Sequence, residues 1–119
     1  MEQMSFFENI DEKKMRRRVI KELKYYKALR VRVQNRQERV EAGYAVQEDG
    51  DHEIRFKQIE RALLFALDED ERRIIEMKYL SNKKVKDTYV YNELMINRDP
   101  YYEKKGSAIR LIATALEII

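Results

Sequence analysis

The chain has 119 residues, 39% of them charged, with a net charge of +3, three glycines, one proline, one histidine and no cysteine. That length suits one domain with one core, and so little Gly and Pro excludes collagen-like, low-complexity and many-turned all-β classes. The lack of cysteine excludes disulfides, thiolate zinc sites and a cysteine nucleophile, and His52 alone cannot make a multi-histidine metal site.

Asp11 to Glu41 contains neither Gly nor Pro and is dense in Lys, Glu, Arg and Leu, which predicts one long helix. Asn9 or Asp11 is placed to cap its start and Gly43 to end it. Val19, Tyr26, Val33 and Val40 recur every seven residues, with Met15 and Leu29 on the adjoining positions, but Glu22 and Arg36 interrupt the stripe. A half-polar stripe suits a helix laid against the rest of the chain, or a partner, better than a strong homodimeric coiled coil.

Residues 42–51, AGYAVQEDGD, read as a loop. The acidic cluster lacks the spaced ligands and closing Glu of an EF-hand. Phe56, Ile59, Leu63, Ala66 and Leu67 then predict a helix over His52–Leu67. Asp68 followed by Glu71 is a capping box that starts a further helix to about Leu80, with Ile74, Ile75, Met77 and Leu80 on its apolar side. SNKKVK connects to a short helix, DTYVYNELM, which begins at Asp87 and sets Val90 and Leu94 four apart. After INRDP, Asp99 is expected to cap the last helix and Pro100 to hold its first position. The predicted fold class is all-α.

The small net charge hides segregation. Residues 11–42 hold 12 Lys and Arg against five Asp and Glu; residues 43–76 hold five against ten; residues 77–119 hold eight against five. Two basic segments around an acidic one imply a polyanion partner, an acidic protein partner, or an internal match of basic against acidic helix. No apolar run approaches the roughly 18 residues of a membrane span. The start, MEQMSFFENIDEKK, lacks a signal-peptide pattern. A cytoplasmic location and no membrane partner are therefore expected.

From Asp68 to Leu116 the order is helix, short helix, tight turn, long helix, the layout of a helix-turn-helix. LDEDERRIIEMKYL resembles the first helix of sigma factor region four. Val85, Val90 and Leu94 fall where that family places its core aliphatics, and Ile96–Asn97 resembles its turn. YYEKKGSAIRLIATAL, with Tyr101–Tyr102, Ala108, Ile112–Ala113 and Leu116, resembles the ArpU family of phage and prophage transcriptional regulators. The resemblance covers about Leu63–Leu116. Met95 departs from it where such turns usually carry Gly, Tyr91 where a small residue is usual, and Lys105 where an aliphatic is common.

The chain is therefore expected to divide into a long basic helix and loop over residues 1–48, read from composition, and a helical domain over residues 49–119 that the resemblance makes a sigma-region-four-like helix-turn-helix. The resemblance implies a sequence-specific DNA-binding regulator of phage or prophage late, lysis or packaging genes, with double-stranded DNA as partner. On the last helix Tyr102, Ile109, Ile112, Ala113 and Leu116 form an apolar face, of which Ile109, Ile112 and Leu116 are expected to pack on Leu80, Val90 and Leu94. Glu103, Lys104, Ser107 and Arg110 lie opposite, with Asn97 and Arg98 just before the helix. A helix N-terminus entering the major groove presents such residues to bases and phosphates. Asn97, Arg98, Lys104, Ser107 and Arg110 are thus the candidate reading face, and Lys83, Lys84 and Lys86 candidate phosphate contacts.

The alternatives at these positions are ordinary solvated charges and, for Tyr101 and Tyr102, core packing. Arg16–Arg18, Lys21, Lys24 and Lys27 give the first helix a basic face, suited to phosphates, to the acidic His52–Leu67 stretch, or to an acidic surface of bacterial RNA polymerase. That helix is expected to be separable from the reading domain, and a homodimer stays open. The second functional reading is a helical protein-interaction module that binds RNA polymerase or another protein without reading DNA. No enzyme is expected: there is no glycine-rich phosphate loop, and Asp68 and Asp70 sit at a helix start, where capping explains them. His52 reads as a surface or capping residue. No catalytic residue, metal or cofactor is assigned.

Overall fold

The computed structural model describes residues 11–119. Among these residues it is all-helical: α1 (Glu12–Glu41), α2 (Asp51–Phe65), α3 (Glu69–Ile75), which runs on into one π-helical turn (Glu76–Leu80), α4 (Asp87–Glu93) and α5 (Arg98–Ala115). No helix among them is long and apolar enough to cross a membrane.

α1 has 30 residues, about 45 Å at 1.5 Å per residue. Asp11 caps it, its Oδ1 accepting from the Lys14 N–H at 3.1 Å; Asn9 lies outside the described residues. Gly43 ends it at φ +91°. The N–H groups of Gly43 and Tyr44 donate back to the carbonyls of Val40 and Arg39, the paired bonds of a Schellman motif.

α2 returns antiparallel along α1: Arg55 meets Glu22, while the earlier Asp49 meets Arg32 and Arg36 further along α1. The two polar interruptions of the heptad, Glu22 and Arg36, thus face charges of the returning chain. Leu23, off the heptad, is fully buried together with Val19, and Met15, Tyr26 and Leu29 complete the covered face. The seven-residue pattern fails beyond Leu29 because α2, with 15 residues, is half the length of α1, and the chain before α2 already meets Arg32 and Arg36 through Asp49. Val33 is half-buried and Val40 is exposed.

The apolar residues form two clusters. The larger joins Met15, Val19, Leu23 and Tyr26 of α1, Ile59 and Leu63 of α2, Leu67, Ile75 and Leu80, and Ala108, Ile109, Ile112 and Ala113 of α5. The smaller joins Ile74, Val90 and Tyr101, with Met77, Val85, Tyr91, Leu94 and Ile96 packed around them. The expected packing of Ile109 and Ile112 is corrected accordingly. They meet Leu80 and α1, whereas Val90 and Leu94 belong to the smaller cluster, because α4 is only two turns long and reaches just the first half of α5. α1 supplies a large share of the core that holds α2, α3 and α5.

Helix joints are secured by polar groups. Asp68 and Glu71 form the expected capping box, the Glu71 N–H donating to Asp68 Oδ1 and the Asp68 N–H to Glu71 Oε1, both at 2.8 Å. Arg72 donates to the carbonyls of Leu63 and Leu64, each at 3.0 Å, and so closes the end of α2. At the start of α5, Asn97 rather than Asp99 holds the N-cap position, and Pro100 is the third helical residue, not the first. Pro is tolerated there because the first-turn N–H groups have no intrahelical partner. α5 ends on Glu117 at φ +58°, which lets the Ile118 N–H donate to Ala113 and its side chain rejoin the larger cluster.

Candidate nucleic-acid interface

α4 and α5 are joined by four residues, 94–97. Leu94 closes α4, Met95 adopts φ +57°, and Ile96 leads into the Asn97 cap. The Met95 N–H donates to Asn92 and the Ile96 N–H to Tyr91, a second Schellman turn. Met95 therefore performs the backbone turn usually given to Gly, with its side chain 92% exposed. The other two departures from the family pattern are compensated as well. Tyr91 packs its ring against Tyr101, centroids 5.4 Å apart. Lys105, in place of an aliphatic, pairs with Asp87 at 2.9 Å.

Asp87 is the first residue of α4 and the hub of the joint. Its Oδ1 accepts from the Tyr101 hydroxyl at 2.6 Å and from Lys105 Nζ at 2.9 Å, with Lys78 Nζ at 4.0 Å. Burial works to raise the Asp87 pKa, but the Tyr101 hydrogen bond and the two lysines outweigh it and hold the carboxyl below its ordinary value. Burial, then the bond to Asp87, pushes the Tyr101 hydroxyl up, so at neutral pH it is a donor. Lys78 Nζ also donates to the Val85 carbonyl at 2.7 Å. The cluster lays the start of α4 across the first two turns of α5.

The candidate DNA residues divide into two groups. Lys83, Lys84 and Lys86 lie exposed on the connector before α4, and none forms an ion pair among the described residues. Asn97 is exposed and makes no side-chain cap bond. Arg98 is exposed, 3.2 Å from Asp99 and 5.7 Å from the Tyr102 ring centroid.

The remaining three are engaged within the chain. Lys104 pairs with Asp70 at 3.5 Å, Ser107 Oγ donates to Glu71 Oε2 at 2.6 Å, and Arg110 pairs with Glu12. The acidic start of α3 lies against that side of α5, and the first turn of α1 lies beside Arg110. Ser107 completes the buried Glu71 carboxylate. The Lys104 and Arg110 pairs are solvent-exposed, worth about 0–1 kcal/mol each, and exchange readily for another anion. Asp99 and Glu103 also stand exposed on α5. Tyr101, not Tyr102, is the core aromatic.

Sequence reasoning missed the Asp87 hub and the acids that meet α5. The signal for the acids was present: Asp68 to Glu71 carries four consecutive acids, more than a cap requires. No group of His and acidic residues suited to a metal ion occurs among the described residues. His52 is exposed and bonded through Nδ1 to the Tyr25 hydroxyl. Comparison with protein-family models, with curated proteins and with solved structures finds no match to this chain.

Proposed function

We propose that this chain is a sequence-specific DNA-binding transcriptional regulator of phage or prophage genes, working through a sigma-region-four-like helix-turn-helix of α3, α4 and α5. The observation that carries this reading is the α4–α5 joint. A two-turn helix, a left-handed turn at Met95 and a long helix are pinned together by Tyr101 and Lys105 on Asp87. In a helix-turn-helix the second helix enters the major groove by its N-terminal residues while the preceding helix lies over the backbone. Asn97 and Arg98 are then the base-reading candidates, and Lys83, Lys84 and Lys86 the phosphate contacts.

The test is genomic footprinting of the full chain in a bacterial host carrying the prophage, followed by binding to the recovered site. Arg98→Ala removes a contact worth about 1–3 kcal/mol of base discrimination. Lys83→Gln, Lys84→Gln and Lys86→Gln weaken all sequences alike and reduce the salt dependence by about 1 per contact.

One observation favours a second reading, contact with RNA polymerase or another protein instead of DNA. The outward side of α5 carries Asp99 and Glu103, which repel phosphate, and Lys104 and Arg110 already have acidic partners. Under that reading footprinting recovers no site of the chain's own, and the chain co-purifies with polymerase.

A further inference from the structure

Basic residues are treated differently along α1. In its second half Arg30 pairs with Glu76, and Arg32 and Arg36 with Asp49. In its first half Lys13, Lys14, Arg17, Arg18, Lys21 and Lys24 are exposed and have no ion-pair partner among the described residues. Every acid of that half is committed elsewhere. Asp11 caps the helix, Glu12 takes Arg110, and Glu22 takes Arg55.

Lys14, Arg17, Lys21 and Lys24 follow spacings of three, four and three, so they share one face. That face is opposite the buried Met15, Val19, Leu23 and Tyr26. The four span about 15 Å of helix, held straight because the other side of the same turns is core. We infer that this stripe grips the phosphate backbone of double-stranded DNA, a contact separate from the helix-turn-helix and resting on the DNA-binding reading above.

Charge complementarity singles out a polyanion, and the neighbours of the stripe select a duplex. A membrane-surface helix needs bulky apolar residues beside its cations. Here the flanks are Lys13 and Arg18, and the apolar side is consumed by the core. A single-strand groove needs aromatic platforms for the bases. The nearest exposed aromatic, Tyr25, is held by His52. A duplex offers what a rigid row of cations fits, one negative charge per roughly 1.7 Å of axis.

The experiment compares three full-length proteins on a fluorescent duplex of mixed sequence, about 30 base pairs long, by anisotropy across a salt series. They are wild type, Lys14→Gln/Arg17→Gln/Lys21→Gln/Lys24→Gln, and Lys83→Gln/Lys84→Gln/Lys86→Gln. Gln is a good helix former, and circular dichroism confirms that each variant is folded. Four phosphate contacts contribute a log–log slope of about −3.6, so the stripe variant loses up to that much slope. Its affinity deficit shrinks by roughly 100-fold between about 50 and 200 mM salt. An unchanged slope in the stripe variant, with loss in the connector variant, overturns the inference and leaves the DNA-binding reading standing. Wild type that fails to bind any duplex at low salt overturns both. Tighter binding to the single strand, or to anionic vesicles, than to the duplex overturns the duplex assignment.

Discussion

The Tyr101 hydroxyl donates to Asp87 Oδ1 across 2.6 Å, joining the first full turn of α5 to the first residue of α4. The Tyr101 ring is fully buried against Ile74 and Val90, so one side chain fills the smaller core and fixes the joint. Tyr101→Phe keeps the ring and removes the bond. A hydrogen bond to a charged group contributes about 1.5–3 kcal/mol, and the expected outcome is a thermal midpoint several degrees lower with the helical signal retained. Urea unfolding of the two proteins checks it; equal midpoints would show that the bond holds nothing together.

The same carboxylate sets an acid limit. Asp87 is held below its ordinary pKa when folded, so its contribution is present above the unfolded carboxylate value and fades as pH falls through the lower folded one. Asp87→Asn is therefore less stable than wild type near pH 7, and the gap closes below about pH 4, where the unfolded carboxylate protonates. Melting curves of both proteins between neutral and acidic pH read the gap directly.

Met95 bears a backbone conformation that costs an L-residue roughly 1–2 kcal/mol, and its exposed side chain returns no packing. Met95→Gly relieves the strain at a small cost in unfolded-state entropy. The expected outcome is a gain of about 1 kcal/mol, read as a higher denaturant midpoint at an unchanged slope.

How far the sequence spoke for itself differs between fold and site. Helix content and the capping box at Asp68 were legible because both depend on neighbours in the chain. The heptad of α1 was legible only as far as Leu29, since the length of α2 decides where burial stops. The partners of Lys104, Ser107 and Arg110 were hidden for the same kind of reason. A helical wheel shows what lies opposite the apolar side of α5, but not that Asp70, Glu71 and Glu12 come to meet it.

Because α1 builds part of the common core, removing it is expected to unfold the rest. A fragment of residues 49–119 loses Met15, Val19, Leu23 and Tyr26 from the larger cluster. Even one such loss, Leu23→Ala, costs about 2–5 kcal/mol, against the roughly 5–15 kcal/mol that holds a domain together. The fragment is expected to show no cooperative melt, while Leu23→Ala in the full chain still melts cooperatively at a lower temperature. Scanning calorimetry separates the two outcomes.

The π-helical turn at Glu76–Leu80 amounts to a helix carrying one surplus residue. In an ordinary α-helix, Ile75 and Leu80 point well apart, because five residues overshoot a turn of 3.6. Here the wider turn, bonded i to i+5, lets both enter the larger cluster while Ile74 and Met77 serve the smaller one. The surplus residue makes this short helix a party wall, furnishing the rooms on both sides. Deleting one residue from the turn would leave a smoother helix and rotate Leu80 away from the room it fills.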